Sequence, residues 1–189
     1  MVNKLAIWKS RQVDTYIEMY TVACEFFSQA SPKPEGWFYP CLASLTFFAF
    51  TFEAYLNHLG SILFRRWDDL EQLSPMRKLN VIAERLGVTV VFGESPFQII
   101  KQLFSFRNNI AHGKSELVED GITVPMDDSN NSLHSIPRTD WEEFCTLQTA
   151  TFVKRDVEMS ISLLHKKAGL GDNPFTNSDW FGTATITEV

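Results

Sequence analysis

Cysteine is scarce in this chain: three in 189 residues, Cys24, Cys41 and Cys145, lie far apart with no C-x-x-C pair. An odd, scattered set offers neither a zinc-ligand pattern nor a disulfide framework, and the reducing cytoplasm is the expected compartment. A phosphate-cradling glycine loop, an H-E-x-x-H helix, a G-x-S-x-G elbow and zinc-finger spacing are equally missing. The expectation is no cofactor and no metal site, with any chemistry built from a few side chains. Positive charge is short as well, since 17 Lys and Arg against 23 Asp and Glu give a net charge of −6. A broad basic face of the kind that coats nucleic acid is therefore excluded. The N-terminus leads into mixed polar and apolar residues, without the long apolar run of a signal peptide.

What is present is 44% hydrophobic and 13% aromatic residues, in a length suited to one domain with a full core. The expected class is all-α: a four- to five-helix bundle over residues 1–168, with a C-terminal tail at 169–189. Approximate helical spacing of Leu5, Trp8, Val13, Ile17, Tyr20, Cys24 and Phe27 predicts a first helix from Leu5 to Ala30, closed by the loop Ser31-Pro32-Lys33-Pro34-Glu35-Gly36. A second helix is expected from about Tyr39 to Trp67. Between Cys41 and Phe64 it carries no Lys or Arg and one carboxylate, Glu53. That length could span a bilayer. Glu53, Asn57 and His58 near its middle make a span expensive, so a surrounded bundle helix, with no membrane, is the reading.

Ser74-Pro75 opens a third helix that Gly87 stops, with Arg77, Lys78 and Arg85 read as its solvated face. Val88-Thr89-Val90-Val91-Phe92 reads as a short extended connector. A small β-hairpin between the last two helices is suggested by Leu117-Val118 and Ile122-Thr123-Val124 flanking Asp120-Gly121, followed by a loop at Asp127–Ser132 that also leads to His134. The capping box Thr139-Asp140-Trp141-Glu142 opens a final helix that ends at Lys166-Lys167.

The chain is organised around the helix opened by Ser95-Pro96 and closed by Gly113, which carries Arg107-Asn108-Asn109-Ile110-Ala111-His112. A step of about 100° per residue puts Gln98, Lys101, Gln102, Ser105, Asn108, Asn109 and His112 on a polar arc. Ile99, Ile100, Leu103, Phe104, Phe106, Ile110 and Ala111 share the apolar arc, and Arg107 falls inside it. A guanidinium pointed at a core needs a partner, and Glu53 is the isolated charge of the other apolar segment. Pairing of Glu53 with Arg107 is expected. His112 sits at the negative end of the helix dipole, beside Asn108 at i,i+4. Arg, amides and a titratable His at one helix end make a candidate anion site with an acid/base. The plainer alternative is a C-capping His and an Arg that snorkels outward.

The stretch Arg107 to His112 resembles the R-x4-6-H motif of the HEPN (higher eukaryotes and prokaryotes nucleotide-binding) superfamily, including the polar residue after the Arg. The resemblance extends over roughly residues 3 to 168 through the bundle pattern and the motif's position closing the penultimate helix. It implies a metal-independent endoribonuclease acting on single-stranded RNA. Arg107 would clamp phosphate, His112 would act as acid/base and Asn108 would orient them, with Glu53 and Asn109 supporting and Lys101 and Lys114 steering phosphate. It further implies a cleft shared by a homodimer, and a toxin-antitoxin, abortive-infection or other defence setting with an antitoxin or regulatory partner. Members whose antitoxin modifies a tyrosine carry H-x-Y after the motif, whereas His112 is followed here by Gly113-Lys114. The other reading is a HEPN-like helical module that binds a nucleotide or partner protein without chemistry. Residues 60–114 carry eight Lys and Arg against five carboxylates, so the motif lies in the one net-positive third of the chain.

Overall fold

The structure is a computed structural model that describes residues 5–31, 35–119, 121, 136–176 and 183–188. In chain order these form β1 (Leu5–Ser10), α1 (Thr15–Ala30), α2 (Phe38–Leu63), a 3₁₀ turn (Trp67–Asp69), α3 (Pro75–Leu86), α4 (Phe97–Ala111), α5 (Asp140–Phe144), α6 (Leu147–Lys167) and β2 (Thr183–Glu188). The body is all-α. No helix among the described residues is long and apolar enough to cross a membrane.

α2 is the axis of the fold, in contact with α1, α3, α4 and α6. Leu45, Phe48, Phe52, Tyr55, Leu56 and Leu59 are fully buried along it, which accounts for its near lack of charge. It ends at Leu63, short of the expected Trp67, because Phe64 turns extended and Trp67 folds back over the helix. A Cβ on Gly60 would lie 2.4 Å from the Trp67 ring, so only glycine allows this approach.

The first helix begins at Thr15, ten residues later than its periodicity suggests. Leu5–Ser10 instead pairs antiparallel with β2, Leu5 opposite Glu188 and Ser10 opposite Thr183. Thr183-Ala184-Thr185-Ile186-Thr187-Glu188 is rich in β-branched residues and supplies a ladder partner that local helical spacing cannot reveal. Ahead of this strand the chain docks on the bundle: Phe175 stacks on Tyr20 at 4.1 Å and the Tyr16 hydroxyl donates to the Pro174 carbonyl at 2.8 Å.

α3 follows its signals, with Pro75 in the first turn and Gly87 stopping it in the left-handed conformation at φ 65°. Lys78 does not belong to a solvated face: it is 3% exposed and its ammonium donates to Asn57 Oδ1 at 2.8 Å. The expected final helix is two helices. The Thr139–Glu142 capping box opens α5, the chain breaks at Cys145-Thr146, and Thr146 caps α6 by accepting from the Thr149 N–H at 3.1 Å. Of the expected hairpin, residues 120 and 122–124 lie outside the described residues, as do the loop 127–132 and His134; residues 113–119 carry no regular structure.

Candidate functional site

α4 sorts its side chains as its periodicity requires over most of its length. Gln98, Lys101, Gln102, Ser105, Asn108 and Asn109 are exposed, while Ile100, Leu103, Phe104 and Phe106 are buried. The last turn departs from the pattern: Ile110 is 38% exposed, and Ala111 is exposed too. Helix initiation also differs from expectation. Pro96 occupies the cap position and the helix runs from Phe97, while the Ser95 hydroxyl leaves the helix end to donate to the buried Asp156 carboxylate at 3.1 Å.

Arg107 meets Glu53 across the α2–α4 seam. Its Nη2 donates to Glu53 Oε2, and the two side chains keep 22% and 24% of their surface. Nη1 donates to Asn108 Oδ1 at 3.0 Å, and the guanidinium lies 5.8 Å from the Phe50 ring centroid and 5.9 Å from that of Phe104. A planar, delocalised cation between a carboxylate and aromatic faces is well matched electrostatically. Its buried Nε–H has no hydrogen-bond partner among the described residues.

His112 has different surroundings. It is the C-cap of α4, with non-helical φ −114° and ψ 11°, and its backbone N–H closes on the Asn108 carbonyl at 3.0 Å. Its exposed side chain lines an open cavity of about 650 Å³ together with Asn108, Asn109, Lys114, Arg138 and Trp141. Glu116, Glu119 and Asp140 contribute carboxylates to the same wall. Arg107 does not line this cavity.

The structure therefore joins Glu53, Arg107 and Asn108 in one cluster, and Asn108, Asn109, His112 and Lys114 in another, with Asn108 shared. Lys101 belongs to neither. It lies over the Phe92 ring at 6.0 Å, eleven residues and about 16 Å of helix rise from His112. Arg138 was not anticipated. It precedes the α5 cap and reaches the site only because α5 packs beside α4, an adjacency that no local pattern encodes.

The α5 wall is held by its own cap. The backbone N–H and the hydroxyl of Thr139 both donate to Glu142 Oε2 at 2.9 Å, which lowers the Glu142 carboxyl below its usual range. The N–H groups of Thr139 and Glu142 are thus already satisfied by side chains of this chain. Among the described residues no group of three His, Cys, Asp or Glu converges as a metal-binding set. The arrangement provides an exposed imidazole, amides that donate and accept, two nearby cations and an aromatic wall. No family model, no curated protein and no solved structure matches this chain.

Proposed function

We propose that this chain is a metal-independent endoribonuclease of HEPN type that cuts single-stranded RNA as a two-fold homodimer. The observation that carries the reading is the split of the motif: a fixed Arg107, held by Glu53 and Asn108, lies one turn before an exposed His112 at the rim of a polar cavity. RNA brings its own nucleophile. Attack of the ribose 2′-hydroxyl on phosphorus breaks the bond to the 5′-oxygen and leaves a 2′,3′-cyclic phosphate. His112 takes or supplies a proton in that exchange, and Arg107 stabilises charge on the phosphorane oxygens. Since Arg107 and His112 of one chain do not share a cavity, a second copy related by a two-fold axis beside His112 would complete the site. The toxin or defence setting, with an antitoxin or regulatory partner, rests on the motif resemblance alone.

The experiment is cleavage of single-stranded RNA by purified protein in EDTA. Expected are 2′,3′-cyclic phosphate ends, no cutting of DNA, and a dimer in sedimentation at micromolar concentration. Cutting that persists in His112→Ala refutes the assignment of His112. A second reading, a module that binds a nucleotide or partner protein without chemistry, is favoured by Glu116, Glu119 and Asp140 standing against Lys114 and Arg138 in the cavity wall. RNA binding without cutting by a well-folded dimer would select it.

A further inference from the structure

A second, smaller cavity of about 260 Å³ opens between α4 and α5. It shares Asn109, Asp140 and Trp141 with the His112 cavity, so the two adjoin. They differ in chemistry. The larger holds the two cations, Lys114 and Arg138, beside His112, together with the carboxylates of Glu116, Glu119 and the shared Asp140. The smaller has aromatic walls, from Trp141, Phe144 and Phe106, with the Phe106 and Phe144 rings 5.1 Å apart. Among the described residues its polar groups are Gln102, Ser105, Asn109 and one charge, the carboxylate of Asp140.

A phosphate is repelled by a cavity whose one charge is negative, and a purely apolar ligand would strand two amides and a carboxylate. A flat heteroaromatic ring with donors and acceptors along its edge satisfies both demands, which is how proteins take unstacked bases from single-stranded RNA. Size agrees, since about 260 Å³ is less than the roughly 300–1,000 Å³ of sites that hold a whole drug-sized ligand. We infer that this cavity is a nucleobase subsite: it receives one unstacked base of single-stranded RNA, with Gln102, Asn109 and Asp140 at the base edge, while the adjoining phosphate lies toward Arg138 and Lys114. Asp140 accepts only, so the subsite prefers a base that presents an amino group, cytosine, adenine or guanine over uracil. The inference rests on the nuclease reading only for the polymer being RNA.

The test uses the His112→Ala protein, so that binding is read without cutting. Fluorescein-labelled decamers of rC, rA and rU, an abasic ribose-phosphate decamer and cytidine 5′-monophosphate are titrated by fluorescence polarisation. Expected is binding of rC and rA in preference to rU and to the abasic decamer. Loss of one base-stacking contact corresponds to about tenfold in affinity. Gln102→Ala and Asp140→Asn, both on exposed positions, should reduce the preference among bases. Trp141→Leu should weaken every base-bearing decamer about tenfold while leaving the abasic one unchanged, and far-ultraviolet circular dichroism checks its fold. Equal affinity for the abasic decamer and rC, or unchanged base preference in both polar variants, overturns the subsite. So does binding of the monophosphate as tight as that of the decamer. Wild-type protein that never cuts RNA, with base-dependent binding intact, defeats the nuclease reading and leaves the subsite standing. Cutting with no effect of these variants does the reverse.

Discussion

Arg107 and His112 are five residues apart and stand in opposite surroundings. Arg107 lies in the seam between α2 and α4, with Glu53, Asn108, Phe50 and Phe104 around its guanidinium. His112, roughly 140° further round the helix axis, has left the helix and faces an open cavity. The seam side chain has its electrostatic partners within the chain, whereas the rim side chain has no hydrogen-bond partner among the described residues. The contrast teaches that one short motif can divide its side chains between a packed seam and an open rim, so a substitution at the rim should lower activity alone and one at the seam should lower stability as well.

The largest expected effect is at the rim. His112→Ala should lower RNA cleavage about 10²- to 10⁴-fold, the usual contribution of a general acid/base, while unfolding stability stays within about 0.5 kcal/mol. Urea unfolding beside a cleavage assay reads both quantities. A variant that loses stability as heavily as activity would erase the contrast.

At the seam stability should fall together with activity. Arg107→Ala or Glu53→Ala leaves a partly buried charge without its partner and should cost about 2 kcal/mol, reduced from the fully buried case because both side chains keep about a quarter of their surface. Combining the two changes should cost about 1 kcal/mol less than the sum of the single changes. Strict additivity in that double-mutant cycle would show that the pair contributes nothing as a pair.

A smaller effect tests whether the rim depends on α5. Thr139→Ala removes the capping box and should cost about 1 kcal/mol. Amide hydrogen exchange is expected to quicken in 140–144 and not in 147–167. Faster exchange throughout both segments would mean that the two helices open as one.

The smallest effect lies far from the motif, in the core between α2 and α6. His165 is buried with its Nδ1 3.3 Å from the Tyr55 hydroxyl, and burial lowers its pKa from 6.5, helped by the nearby His58 and opposed by a hydrogen bond to the Leu170 backbone. With the folded value below the unfolded one, the unfolded chain binds the proton more readily as pH falls through 6.5. Stability from this group is complete above that value and is lost as pH falls toward the folded pKa. His165→Gln should flatten the dependence of unfolding free energy on pH between 5 and 7. An unchanged slope would place its source elsewhere.

Sequence signals worked where their cause is local. Pro75 and Gly87 bound α3 because start and stop residues act within one turn, although the Ser74 side chain makes no capping hydrogen bond, and Thr139 with Glu142 forms its capping box for the same reason. They failed where a distant group intervenes. The Ser95 hydroxyl goes to Asp156, 61 positions on, and does not cap α4. The break at Cys145-Thr146 is an exception with a local cause, since Thr146 caps a new helix through Thr149. Lys78 reads as a surface cation until Asn57 is seen beside it.

By itself the sequence determined the polar and apolar faces of α4 and the need of Glu53 and Arg107 for each other. The period of the helix sets the first, and the cost of an unpaired charge in apolar surroundings sets the second. Only the tertiary structure decided that Leu5–Ser10 is a strand, that Arg107 and His112 face different spaces, and that α5 brings Arg138 and Trp141 alongside α4. These features depend on pairing and packing between segments far apart in the chain, and local periodicity carries no record of which distant segment will arrive.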